Sequence, residues 1–373
     1  MILPANEGHR MDDQTREKAV ELLQKLSQAH GAPGQESEVR RIFRSELGEG
    51  VTTDKAGDII CERKGNSASP RIMLAAHMDE VGLMVQTITS DGLIRFLPLG
   101  GWWAHTLLAQ RVRIKTRAGD EVVGVIGAKP PHFLGEGERD KLMKIEDMFI
   151  DVGARNADEV RGFGIRLGDV IVPDTPFVRM QNPDFLLSKA FDDRSGLSVV
   201  VHAARELAGI AHPNTVFATG TVQEEVGTRG ARTAAFRVKP DVALVIEGAP
   251  ADDLPGMSAD ERQAKLGAGV QIRVMDPSAI MNRKLVDFVI DTAEQNRIRY
   301  QVAVRRRGGT DAHEIHMSGA GVPTVVLAVP SRYVHTHNTI IDLSDYLSAL
   351  QLVLKLVETI DADTAQSFVD FDE

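Results

Sequence analysis

The chain has 373 residues, with 43 Lys and Arg against 53 Asp and Glu, which gives a formal net charge of −10 at pH 7. This acidic balance excludes a protein that binds nucleic acid mainly through attraction to the phosphate backbone. The single cysteine, Cys61, excludes an intrachain disulfide framework and favours a reducing, cytoplasmic location.

Neither the first residues nor the apolar runs are typical of export or membrane insertion. The start, MILPANEGHRMDDQ, has no basic segment followed by an apolar one, so we expect no secretory signal. The apolar run at 325–329, VVLAV, is far shorter than the roughly 18 to 20 residues that span a bilayer. We therefore expect no membrane partner.

The first predicted elements are a helix and a short buried strand. A helix is predicted from about Asp13 to Ala29, because Val20, Leu23 and Leu26 recur at helical spacing and Asp13 can cap the first turn. An apolar strand, IMLAA, follows at 72–76 and is followed directly by HMDE. From 81 to 175, short β-type runs separated by glycine turns predict a compact β-rich domain.

After Phe185 the pattern returns to alternating helices and strands, which ends with a helix from about Ser344 to Ile360. Such alternation predicts an α/β fold, here a mixed sheet flanked by helices. The β-rich region therefore interrupts the main domain. We expect a discontinuous main domain of residues 1–80 and 176–373, with residues 81–175 inserted as a small β-rich domain.

Histidines and carboxylates cluster where predicted strands end. Five segments contribute them: His77-Met78-Asp79-Glu80, Asp192-Asp193, Glu224-Glu225, Glu247, and His335 with His337. Ligands in open α/β sheets bind beyond the carboxyl ends of the strands, so we expect these side chains to meet. Imidazole and carboxylate together suit zinc, cobalt or manganese without any thiolate. The carboxylates outnumber the ligands of one tetrahedral zinc, which favours a two-metal site.

Several motifs in chain order carry a resemblance to a known family. The segments HMDEVG, AFDDRSG, QEEVGTRGA, IEG, GGTDAHEIH and PSRYVHTH resemble the tetrahedral aminopeptidases, the glutamyl and deblocking enzymes among the di-metal exopeptidases. GGWWAHTLLAQRVRI and GDVIVPDTPF, in the inserted region, resemble the second domain of that family. The similarity covers residues from about 15 to 360.

The resemblance implies a role for each candidate site residue. Two divalent ions, Zn²⁺ or Co²⁺ or possibly Mn²⁺, would be held by five ligands: His77 and Glu247 for one ion, Glu225 and His335 for the other, and Asp192 as the bridge, joined to Asp193 by a cis peptide bond. Asp79 would orient His77, Glu224 would act as general base, and Asp311 would contact substrate.

The resemblance also implies the activity and the assembly. The protein would be a cytoplasmic, metal-dependent aminopeptidase that removes N-terminal residues from short peptides, through a metal-bridging hydroxide activated by a glutamate. Residues 1–80 and 176–373 would form the catalytic metallopeptidase domain. Residues 81–175 would form a β-barrel-like dimerisation domain, and the dimers would build a homo-oligomer, a dodecamer.

Some alternatives stay open at this stage. Glu247 stands where many relatives have Asp, and this favours a carboxypeptidase or N-deacylase of the same clan as the alternative activity. An endoglucanase needs two carboxylates and no metal, so it leaves the histidines unexplained. His337 could replace His335 as the ligand, because residues two apart in an extended segment point the same way. The Arg305–Arg307 run is either a solvated loop or a site for acidic groups.

Overall fold

The computed structural model describes residues 12–137 and 139–371. The expectation of no secretory signal falls mainly on residues 1–11, which lie outside these ranges. None of the helices in the two described ranges combines the length and the apolar character that crossing a membrane requires.

The described residues form nine α-helices and eighteen strands. The helices are α1 (Asp13–Gln28), α2 (Ser37–Leu47), α3 (Ala157–Gly162), α4 (Phe191–Glu206), α5 (Arg229–Val238), α6 (Arg283–Gln295), α7 (Ala312–Ile315), α8 (Leu343–Thr359) and α9 (Ala362–Ser367). The strands are β1 (Val51–Thr53), β2 (Ile59–Lys64), β3 (Arg71–His77), β4 (Gly82–Ile88), β5 (Leu93–Leu99), β6 (Arg111–Lys115), β7 (Glu121–Gly127), β8 (Phe149–Asp151), β9 (Val170–Pro173), β10 (Val178–Arg179), β11 (Phe185–Ser188), β12 (Thr215–Thr221), β13 (Val242–Pro250), β14 (Val270–Asp276), β15 (Ala279–Ile280), β16 (Tyr300–Val304), β17 (Thr324–Arg332) and β18 (Thr339–Asp342).

Twelve of these strands form one mixed sheet with helices packed against it. Its order is β1-β2-β12-β3-β13-β17-β18-β11-β10, and β14 pairs with β17, β15 and β16. The neighbours β12, β3, β13 and β17 run parallel. Their carboxyl ends therefore lie at the same edge of the sheet, as the sequence predicts for the site.

The other six strands close into a separate barrel, in the order β4-β5-β8-β7-β6-β9. It has its own apolar core, which includes Leu83, Ile94, Ile114 and Ile150. The prediction of a small β-rich domain within an α/β fold is therefore confirmed. The sequence pattern missed α3, a short helix between β8 and β9.

Helix α4 is buried on all sides over most of its length. It packs on β3 and β13 and also contacts α1 and α8, so residues from Ser195 to Ala204 are all buried. A helix covered all round needs no polar face, which explains its apolar sequence GLSVVVHAA. Because packing fixes this helix, it also fixes its first residues at the edge of the sheet, where Asp192 and Asp193 depart from helical φ and ψ.

Several local expectations need correction. The N-cap of α1 is Asp12, whose carboxylate accepts a hydrogen bond from the Thr15 amide, and Asp13 is the first helical residue. Glu247 lies inside β13 and does not follow its strand, because that strand continues to Pro250. Helices α2 and α5 were not predicted, although their buried residues recur at helical spacing, as Val39, Phe43 and Leu47 do in α2.

Histidine 30, at the end of α1, gives a pH prediction. Its ring is buried, its two nitrogens have no hydrogen-bond partner, and burial together with Lys189 lowers its pKa from 6.5 to about 3. The unfolded chain therefore binds a proton first as pH falls below 6.5, so His30 costs stability in that window. Lowering the pH from 7.5 to 5 should reduce the free energy of unfolding of wild type by about 2 kcal/mol more than that of His30→Phe. Urea unfolding at both pH values measures this.

The control is His132→Phe, which makes the same substitution at an exposed histidine. An equal acid sensitivity in wild type and His30→Phe would contradict the assignment of His30.

Candidate metal centre

The parallel strands bring His77 and Glu247 together. Val245 pairs with Ala75, so Glu247 on β13 is level with His77 at the end of β3. Residues at the same level on neighbouring parallel strands point to the same face. The Nε2 atom of His77 lies 3.7 Å from Oε2 of Glu247. Both side chains are buried.

Asp192 lies between two groups of potential ligands. One carboxylate oxygen, Oδ1, is 3.2 Å from Nε2 of His77. The other, Oδ2, is 3.3 Å from Nε2 of His335, which is also 3.2 Å from Oε2 of Glu225. The structure thus forms two triads, His77–Asp192–Glu247 and Asp192–Glu225–His335, each with donor atoms within 4.8 Å of one another.

The backbone around the triads fixes their side chains. The Asp192–Asp193 peptide bond is cis, as the resemblance implies. Oδ2 of Asp193 accepts a hydrogen bond from the His77 amide, and Oδ1 accepts one from the Gly196 amide. The carboxylate of Asp193 therefore ties the start of α4 to the end of β3.

Asp79 contacts both His77 and the turn that carries Glu224 and Glu225. Its backbone carbonyl lies 3.0 Å from Nδ1 of His77, while its Oδ1 lies at 3.5 Å. The carboxylate accepts hydrogen bonds from the amides of Glu224 and Glu225, at 3.0 and 3.1 Å. The predicted role of Asp79 is to orient His77. Its side chain also holds the turn that carries Glu224 and Glu225.

The donor set fits divalent cations. Oε1 of Glu225 is buried without a hydrogen-bond partner, although its other oxygen faces His335. Burial raises the pKa of Glu247 and Glu225, and the charges of neighbouring carboxylates add to this effect. Buried carboxylates that are short of partners and repel one another are suited to ligating a positive ion. Burial alone would lower the pKa of His335, but the carboxylates of Asp192 and Glu225 outweigh this effect and raise its pKa to about 11.

Glu224 lies beside the triads without belonging to either. Its Oε2 atom is 3.8 Å from Nε2 of His77, and its side chain lines a cavity of about 970 Å³. The triad residues line the same cavity. Burial raises the pKa of Glu224 well above its usual range; His77 opposes this shift, and Glu247 supports it. A raised pKa makes a carboxylate a stronger base than usual, which suits a group that accepts a proton and then returns it.

Three further residues lie outside the two triads: Asp311, His337 and His313. Asp311 is 1% exposed, accepts a hydrogen bond from Thr221, and is not among the residues that line the cavity. This position does not favour direct substrate contact. His337 is buried against Trp102, with ring centroids 5.5 Å apart. His313 lines the cavity, but its Nδ1 atom is 3.0 Å from the Ser278 carbonyl.

Sequence reasoning missed a buried ion cluster behind the site. Lys189 Nζ contacts both carboxylate oxygens of Glu80, at 2.6 and 2.8 Å, and Arg194 Nη2 contacts one of them at 3.3 Å. Arg194 also donates to the carbonyls of Leu26 and Met78. The cluster joins α1, the segment after β3 and the start of α4. The sequence segments HMDE and KAFDDR contain Glu80, Lys189 and Arg194, but their spacing along the chain does not indicate that these residues pair.

The two histidines of the 335–337 turn should differ in their effect on metal content. We expect His335→Ala to reduce metal binding from two ions per chain towards one, because His335 faces Asp192 and Glu225. His337→Ala should retain two ions, because its ring lies against Trp102. Elemental analysis of the purified variants measures the ratio. Loss of an ion in the His337 variant alone would reverse the assignment.

The chain is similar to known proteins over most of its length. Residues 57–352 match the M42 glutamyl aminopeptidase family. The glutamyl aminopeptidase of Lactococcus lactis subsp. cremoris (strain MG1363) is 35% identical over 92% of this chain and 98% of its own length.

Two solved structures are similar over nearly the whole chain. The TET aminopeptidase from the marine sediment archaeon Thaumarchaeota archaeon SCGC AB-539-E09 has a TM-score of 0.91 and 43% identity, covering 94% of this chain and 99% of that chain. The Pyrococcus horikoshii TET1 peptidase has a TM-score of 0.82 and 31% identity, over 92% and 100% of the two chains, and can assemble into a tetrahedron or a large octahedral shell. This chain belongs to the M42 glutamyl aminopeptidase family and is an exopeptidase.

Proposed function

We propose that the protein is a two-metal aminopeptidase that removes N-terminal residues from short peptides. The observation that carries this proposal is the position of Asp192, which offers one carboxylate oxygen to each triad. Residues His77 and Glu247 would hold one ion with Asp192, and residues Glu225 and His335 would hold the other. Such ions, when bound, supply a water that is nucleophilic at neutral pH and polarise the scissile carbonyl.

Glu224 performs the proton transfers in this proposal. Its carboxylate lines the same cavity as the triad residues and lies 3.8 Å from Nε2 of His77, so we expect it to accept a proton from a water held there. The same carboxyl group then donates that proton to the leaving amine as the peptide bond breaks. Asp79 supports this role by holding the Glu224 and Glu225 amides, so that both side chains project from one fixed turn.

Four substrate classes separate this function from its alternatives. We expect metal-loaded enzyme to hydrolyse free aminoacyl p-nitroanilides and to release N-terminal residues from unblocked peptides. N-acetylated substrates test for a deacylase, release of C-terminal residues tests for a carboxypeptidase, and carboxymethylcellulose tests for an endoglucanase. Turnover of any of these three classes, with none of the free aminoacyl substrates, would overturn the proposal.

Arginine 273 gives the cavity a candidate preference for acidic N-terminal residues. Its side chain is 5% exposed and lines the cavity, and its Nε atom has no hydrogen-bond partner. Asp276 lies 3.3 Å from Nη1, but it also accepts hydrogen bonds from Ser278 and Ala279. A substrate carboxylate would supply the missing partner of Nε.

We expect Arg273→Gln to lower kcat/KM for glutamyl p-nitroanilide about tenfold or more relative to alanyl p-nitroanilide, because a charged hydrogen bond is lost. Arg232→Gln is the control, since Arg232 does not line this cavity. An unchanged ratio of the two substrates in Arg273→Gln would show that this arginine does not select the side chain.

We also propose a homo-oligomer, built from dimers into a dodecamer, in the cytoplasm. Three observations support self-association through the inserted domain: the barrel is closed and has its own core, and it exposes large apolar side chains, among them Trp103 and Phe133 at 62% and 72% exposure. Light scattering after size-exclusion chromatography measures the mass of the particle and so tests the proposed assembly. A monomeric mass at micromolar concentration would contradict the assembly.

A further inference from the structure

A short segment of the barrel domain contacts one of the two triads. This segment, Gly100–Trp102, follows β5 and leads towards β6. The carbonyl oxygen of Gly101 lies 2.8 Å from Nδ1 of His335. The other ring nitrogen of His335 faces Asp192 and Glu225. A hydrogen bond to this carbonyl keeps the proton on Nδ1 and leaves Nε2 free as a ligand.

The two glycines of the segment allow the backbone to lie against the ligands. A Cβ atom at Gly101 would lie 3.2 Å from Nδ1 of His335. At Gly100, where φ is +88°, a Cβ atom would lie 2.8 Å from Val81 and 3.2 Å from Oε2 of Glu225. The segment therefore contacts two members of the same triad, and larger residues would push against both.

Trp102 fixes the position of this segment. Its Nε1–H donates a 2.9 Å hydrogen bond to the carbonyl of Gly82, the first residue of the barrel strand β4. Its ring also packs on His337, two residues from His335. The indole thus links the segment to the barrel on one side and to the turn that carries His335 on the other.

Within the described residues, no hydrogen bond joins His77 or Glu247 to the barrel. Nδ1 of His77 faces the carbonyl of Asp79, and Glu247 lies within β13, so both are held by the main sheet. The two triads therefore differ in what supports them. The triad of His77 and Glu247 is held by elements of the main domain, and the triad of His335 and Glu225 also contacts a loop of the inserted domain.

We propose that the Gly100–Trp102 segment is a positioning element for the triad of His335 and Glu225, and that it leaves the triad of His77 and Glu247 unaffected. This inference rests on the proposed two-metal function. It gives the barrel a part in assembling the metal centre, in addition to any part in oligomer formation. Substitutions in the segment should weaken one metal position selectively.

Calorimetric titration of metal-free protein with Co²⁺ tests the inference, with cobalt absorption spectra as a second readout. We expect wild type to bind two ions and Gly101→Val to bind one of them about 10- to 100-fold more weakly, the range typical for loss of a ligand's outer partner. Anomalous scattering from crystals of the variant should show lower occupancy beside His335 than beside His77.

Two further variants keep the test decisive. Gly162→Val is the matched control, because a Cβ atom at Gly162, also between barrel strands, meets nothing within 4 Å; it should bind both ions as wild type does. Trp102→Phe retains a ring against His337 but loses the donor to Gly82, so it should show the same selective loss even if Gly101→Val folds poorly.

The outcomes separate the inference from the function on which it rests. Equal weakening of both positions, or no weakening of either, in Gly101→Val and Trp102→Phe would overturn the inference alone. Wild-type protein that binds fewer than two ions would overturn the two-metal function, and the inference with it.

Discussion

Replacing Glu224 with Gln should reduce kcat about 10²- to 10⁴-fold, the usual contribution of a positioned acid–base group. The amide has nearly the same shape as the carboxylate, but it cannot accept a proton from water or return one to the leaving amine. Because Glu224 belongs to neither triad, metal content should stay at two ions per chain. Steady-state kinetics and elemental analysis of the same preparation measure both quantities.

Glu206→Gln provides the control for this experiment. Glu206 is the last residue of α4 and is not among the residues that line the cavity, so the same chemical change there should leave kcat within about twofold. A Glu224→Gln enzyme that retains wild-type turnover would remove Glu224 from the mechanism. Loss of metal together with activity would instead identify Glu224 as a ligand.

Replacing Glu80 with Gln should destabilise the fold by about 3 to 5 kcal/mol, the cost of breaking a buried ion pair on one side. Glu80 is 1% exposed, and it is the carboxylate that balances both Lys189 and Arg194. The substitution keeps the size of the side chain but removes the carboxylate that both buried cations contact. Urea unfolding at fixed protein and metal concentrations measures the change in the free energy of unfolding.

Glu358→Gln is the matched control for charge. Glu358 pairs with Lys355 on α8, and both side chains are partly exposed, so the same substitution should cost at most about 1 kcal/mol. Similar losses in the two variants would show that the Glu80 cluster contributes no more than a surface pair. Because the cluster joins α1 to the start of α4, we also expect the position of the Asp192 side chain to be less well fixed in Glu80→Gln.

The edge of the sheet where the site forms could be predicted from the sequence. Parallel strands end at a common edge, and His77, Glu225 and His335 stand at or beyond strand ends. Glu247 reaches the same edge from within β13, because strand register rather than strand ending places it level with His77. Pattern analysis identifies residue types and element order, so it predicted Glu247 at this edge although the strand boundary was wrong.

The supports of the site could not be predicted in this way. The Gly101 carbonyl and the Asp79 carbonyl act through the backbone, which every residue has, so no letter in the sequence indicates these contacts. The pairing of Glu80 with Lys189 joins residues 109 positions apart, and it depends on how α1 and α4 pack. Such contacts follow from tertiary structure, whereas spacing along the chain reports only local structure.

Removal and return of metal tests the central claim most directly. Protein freed of metal by chelation and dialysis should show no hydrolysis of free aminoacyl p-nitroanilides. Activity should return as Zn²⁺, Co²⁺ or Mn²⁺ is added and should reach its maximum at two ions per chain. Full activity in protein shown by elemental analysis to hold no metal, or a maximum at one ion per chain, would contradict the two-metal account.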